Sequence, residues 1–92
     1  MVISVDKLKL QNESIYGRKA KDAYESFIKD FVGGKLEDLK NEFLNCSVTD
    51  VERIMEIKRL SLALEALESN VLSIIATGKM AETQLENENV SK

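Results

Sequence analysis

The stretch Thr49–Thr77, T-D-V-E-R-I-M-E-I-K-R-L-S-L-A-L-E-A-L-E-S-N-V-L-S-I-I-A-T, constrains this chain most. Ile57, Leu60, Leu64, Leu67, Val71 and Ile74 recur at 3-4-3-4-3 spacing, the pattern of a heptad seam on one helix. Leu62, Ala63, Ala66, Leu72 and Ile75 spread off that seam. A helix that is apolar on more than one side has to be covered on more than one side. The fold must therefore supply at least two neighbours for this helix.

The rest of the chain offers few of them. Ninety-two residues make one domain, and five aromatics with no Trp make a thin, aliphatic core. The absence of Pro and the abundance of Leu, Glu, Lys and Ala favour helix throughout. From Arg18 the positions Ala20, Ala23, Tyr24, Phe27, Ile28, Phe31, Leu36, Leu39, Phe43 and Leu44 keep a helical period. Gly33-Gly34 interrupts them, at about 1 kcal/mol per Gly relative to Ala in a helix interior. The eight residues from Phe31 to Leu39 and the four from Leu39 to Phe43 fit one stripe, which favours a continuous helix over a break. A close approach of another backbone would explain why Ala is absent at that pair.

These patterns predict an all-α chain with long helices at about 17–45 and 49–77, joined by the turn Asn45–Val48 as an antiparallel two-helix hairpin. Each helix would hold about 28 residues and span roughly 42 Å. Asn12 or Ser14 would cap the first. Thr49-Asp50-Val51-Glu52 matches the S/T-x-x-E capping box of the second, and Gly78 would end it as a C′ glycine. Residues 1–16 would form an N-terminal arm. The imperfect alternation of Ile3, Val5, Leu8 and Leu10 admits either loose order or a strand against a neighbouring subunit. Residues 79–92 would be a polar tail. Met1–Leu10 has no basic n-region followed by a long apolar run, which predicts no signal peptide. Ser61, Glu65, Glu68, Ser69, Asn70 and Ser73 weigh against a transmembrane reading of Leu60–Thr77.

Chemistry-bearing residues are scarce. There is no His, the commonest general base and metal ligand. Cys46 alone cannot make an internal disulfide and has no His to activate it. Glu65 and Glu68 lie a turn apart with no third or fourth metal ligand in sight. Gly33-Gly34-Lys35 and Gly78-Lys79 lack the rest of a phosphate loop. Arg18, Lys19 and Lys21 cluster, yet residues 17–45 carry six basic and six acidic side chains, a poor footprint for nucleic acid. No enzyme, cofactor or metal is expected. The expected site is an interface, formed by Leu60, Leu62, Leu64, Leu67, Val71, Leu72 and Ile75. It would assemble copies into a bundle or ring, or dock another protein.

Y-E-S-F-I-K-D-F, then L-x-x-L-x-x-x-F-L, then a capped D-V-E helix rich in A-L-x-x-L and a closing T-G-K-M-A resemble, over residues 20–82, small proteins that tailed bacteriophages encode near their head and tail assembly genes. That resemblance is one of layout. It implies a structural or assembly protein in the host cytoplasm or the virion, acting by self-association and protein contacts. The small hairpin chaperones of type III secretion are similar in layout too. They imply an adaptor that covers an apolar segment of a partner. Neither resemblance carries a functional residue over.

Overall fold

A computed structural model describes residues 5–90 as backbone and residues 6–88 with their side chains. Two helical runs fill it, and no strand occurs among the described residues. The first run is α1 (Val5–Ala23), a π turn (Tyr24–Ile28) and α2 (Lys29–Asn45). The second is α3 (Val51–Val90). The all-α expectation holds, and the first run ends at Asn45 as expected.

Contacts between the runs pair residues in reverse order. Glu42 meets Arg53, Tyr24 meets Glu68, Gly17 meets Gly78 and Arg18 meets Glu82. The molecule is a rod of 67 × 22 × 17 Å. Its radius of gyration is 19.6 Å, against about 12 Å for a compact domain of this length.

Both outer ends of the expected helices move. Residues 5–16, read from sequence as an arm, are the first turns of α1. Residues 79–90, read as a polar tail, continue α3. The two corrections have one cause. Each segment gives the other a surface: Ser14 and Gly17 are buried on one side and Gly78 and Ala81 on the other. Ile3 lies outside the described residues. Gly78 does not end α3, and no glycine among the described residues has positive φ.

Gly78 serves a different purpose. A Cβ built on Gly17 would lie 2.7 Å from the Gly78 Cα, and one on Gly78 would lie 2.6 Å from the Gly17 Cα. The two backbones touch there, with Ser14 and Ala81 next to the contact at 6% and 2% exposure. The close approach expected at Gly33-Gly34 is not found. α2 runs straight through that pair, and a Cβ at either position would meet nothing within 4 Å.

The π turn corrects the phase of the first run. Tyr24, Ile28, Val32 and Leu36 are the half-buried or buried residues of successive turns, spaced 4-4-4. Twelve residues over three turns exceed the ordinary helical repeat by about one residue, and the wide π turn absorbs it. The buried face is therefore Val32 and Leu39, at 0% and 9% exposure. Phe27, Phe31 and Phe43, expected on the inner face, are exposed at 63%, 40% and 51%.

At the head of α3 the capping box is off by one. Asp50 is the cap: its Oδ1 accepts from the Arg53 amide at 3.2 Å, and its carbonyl accepts from the Ile54 amide. Thr49 instead shares a 2.8 Å hydrogen bond with the Ser47 hydroxyl. Arg53 then bridges the runs, paired with Glu42 across the turn and with Glu56 at 3.1 Å on its own helix. The Glu42 carboxylate, then Glu56, raises the Arg53 guanidinium above its ordinary range.

Two sets of substitutions follow with opposite signs. Gly33→Ala and Gly34→Ala should each stabilise the chain by about 0.5–1 kcal/mol through helix propensity. Gly17→Ala and Gly78→Ala should destabilise it by about 1–3 kcal/mol, because overpacking outweighs that gain. Urea unfolding followed by circular dichroism reads both. Removing the cap with Asp50→Ala should cost about 1 kcal/mol, and Thr49→Ala much less; equal losses would restore the original capping box.

Candidate interaction surface

The inward face of α3 is a longer seam than the sequence suggested. Ile54, Ile57, Ser61, Leu64, Glu68, Val71, Ile75, Gly78, Glu82 and Leu85 are all buried or half-buried and repeat 3-4-3-4-3-4-3-4-3. This register shares Ile57, Leu64 and Val71 with the expected one. It replaces Leu60 and Leu67 by Ser61 and Glu68, leaving the two leucines at 44% exposure each. The polar substitutes have local reasons. The Ser61 hydroxyl donates to the Ile57 carbonyl at 2.8 Å. Glu68 accepts from the Tyr24 hydroxyl at 3.2 Å.

The predicted interface residues therefore divide into three groups. Leu64, Val71 and Ile75 are half-buried against the first run. Leu60 and Leu67, seven residues apart, line one flank of α3. Leu62 and Leu72, at 55% and 43% exposure, lie elsewhere: Leu62 is about 200° round the helix from Leu60, and Leu72 about 140° from Leu67. One interface does not contain all seven.

Residues absent from the expected set also stand out. Tyr16, Phe27 and Phe31 are exposed on the first run, with the Phe27 and Phe31 rings stacked at 5.3 Å and the Lys35 Nζ 5.8 Å from the Phe31 centroid. The 4-4-4 spacing from Tyr24 was the signal that these rings turn away from the seam. Val48, Met55 and Met80 are exposed too.

Two of the clefts between the runs bear on what could bind there. One, of about 500 Å³, is lined by Arg18, Lys21 and Lys79 with Glu82 and Glu86. Its charges are mixed, and Arg18 is already paired with Glu82 at 3.2 Å. The other, of about 320 Å³, lies near the turn between Leu36, Leu39 and Phe43 on one side and Ile54 and Ile57 on the other, with Lys40 and Lys58 at its edge. Among the described residues no group of three or more His, Cys, Asp or Glu side chains is placed to hold a metal, and no buried side-chain polar atom lacks a partner.

By length and composition alone α3 is also apolar enough to cross a membrane, with a mean hydropathy of 1.3 in its best window. Two features oppose that use. Glu65 and Glu68 sit mid-helix, where an acidic side chain costs roughly 2.5–3.5 kcal/mol in hydrocarbon. The run packed against it carries Lys19, Lys21, Asp22, Lys29 and Asp30.

No protein-family model, curated protein or solved structure matches the chain.

The Tyr24–Glu68 bond across the seam has a readable signature. Partial burial first, then the hydrogen bond and charge of Glu68, raise the Tyr24 phenol above its ordinary value of 10.0. A group raised on folding stabilises the fold fully below its unfolded pKa and stops doing so as pH climbs through the folded one. Phenolate absorbance of a Tyr16→Phe chain, which reports Tyr24 alone, should therefore show a midpoint above 10. Glu68→Gln should remove part of that rise; an unmoved midpoint would dissolve the contact.

Proposed function

We propose that the chain is a structural or assembly protein: an antiparallel helical hairpin that acts by self-association and contacts with other proteins rather than by catalysis. One observation carries this reading. Among the described residues fifteen large apolar side chains are exposed, while the buried apolar set is Val32, Leu39, Ile57 and Ala81. A two-helix rod has no interior in which to place the rest, and isolated helical pairs of this kind draw their stability from being covered. The reverse order of the contacts between the runs supports the hairpin. The scarcity of convergent polar groups supports a non-enzymatic role. The layout shared with small helical proteins of tailed bacteriophages supports a place in a particle or its assembly, in the host cytoplasm or the virion.

A second reading rests on the apolar cleft beside the turn, between Leu36 and Leu39 on one run and Ile54 and Ile57 on the other. A helical adaptor or chaperone would use such a cleft to hold an apolar segment of a partner, as the type III secretion layout suggests.

Sedimentation equilibrium over a wide concentration range separates the two. Self-association predicts a fixed oligomer with a mass that is a multiple of 10.4 kDa. A monomer at every concentration would remove this reading and leave the adaptor.

A further inference from the structure

One flank of the rod is free of charge over its middle, between Glu13, which lines a cleft on this side, and Lys35, whose Nζ lies 5.8 Å from the Phe31 ring centroid. On α3 it holds Leu60, Ala63, Leu67, Asn70, Ile74 and Thr77, at steps of three and four. On the first run it holds Tyr16, Ala20, Ala23, Phe27 and Phe31. The two stripes lie on the same side of the rod, because Tyr16 lines a cleft together with Ile74 and Thr77. In a chain with 32% charged residues, these eleven positions carry none. The flank is also well exposed, with Tyr16 at 61%, Phe27 at 63%, and Leu60 and Leu67 at 44%.

We propose that this flank is where a second copy of the chain packs, two copies laying their uncharged flanks together as a two-fold symmetric four-helix bundle. The proposal rests on the self-association reading and specifies its surface. Three observations select a second copy as the occupant.

The first is area. The chain exposes 7247 Å², where a compact chain of its mass exposes about 5,400 Å². The excess, about 1,800 Å², falls within the roughly 1,000–2,500 Å² per partner that obligate homodimers bury. The second is position. Leu67 lies close to the middle of α3 (Val51–Val90), with Leu60 and Ile74 seven residues to either side. A patch centred in a rod is overlaid on itself by a two-fold axis through that centre, which is what an isologous contact requires. The third is shape. The rod is one layer, 22 Å by 17 Å in section. A second layer about 10 Å away would close it into the near-square section of a four-helix bundle.

The test uses the full chain. The wild type should sediment as a dimer or an even multiple of it. Leu60→Glu with Leu67→Glu should lower that mass to the monomer, while Leu62→Glu with Leu72→Glu, off the flank, should keep it. A Phe27→Trp chain supplies a second reading that does not depend on the glutamate variants folding, since the protein has no other Trp. Its emission should be blue-shifted in the associated state and move to the red on dilution, in step with the loss of mass. A solvent-exposed emission in the associated state, or a mass unchanged by the flank variant and lowered by the other, would overturn the flank while leaving self-association standing. A wild type that is monomeric throughout would overturn both.

Discussion

The Gly17–Gly78 contact fixes how the two helical runs can lie. With no side chain on either glycine, the backbones approach until Cα meets Cα, and small neighbours, Ser14 and Ala81, fill the space beside them. The approach is at the outer end of the rod. Toward the turn the facing residues are larger, Leu36 and Leu39 against Ile54 and Ile57, and they hold the helices apart. The apolar cleft between them near the turn is the counterpart of the tight contact at the other end. Polar pairs spaced along the rod, Arg18–Glu82, Tyr24–Glu68 and Glu42–Arg53, then hold the register that featureless glycines cannot.

A rod this thin has consequences for where apolar side chains go. Each helix has one neighbour, so it hides one stripe. α3 is apolar over much more of its circumference, because Leu60, Leu62, Leu67 and Leu72 all lie off its seam. The same chain that contributes carboxylates to the seam, Glu68 and Glu82, leaves leucines outside it. Such a distribution is poor for a monomer and ordinary for one layer of a bundle.

Much of the fold was legible from periodicity. Helix content and the end of the first run at Asn45 both follow from spacing and composition. The errors have physical origins. Gly78 carries the local signature of a helix stop, and only its tertiary role against Gly17 keeps the helix going. Residues 5–16 look half-extended in isolation, and the extension of α3 makes them helical. Thr49 and Asp50 are both good caps one residue apart, and local sequence does not choose between them. For the interface, spacing singled out α3. It merged three faces into one because two seams share Ile57, Leu64 and Val71, and the one that packs against the first run takes Ser61, Glu68 and Ile75 in place of the more apolar Leu60, Leu67 and Ile74.

The π turn at Tyr24–Ile28 holds one residue more than an α-helix would use over the same turns. It is a stored insertion. Losing one residue inside it would convert the segment to plain α-helix, leaving about eleven residues over three turns and both flanking faces still in phase. Losing one anywhere else in the first run would swing one part of the inner face by about 100° relative to the rest. A one-residue deletion in the first run is therefore most easily tolerated at this one turn.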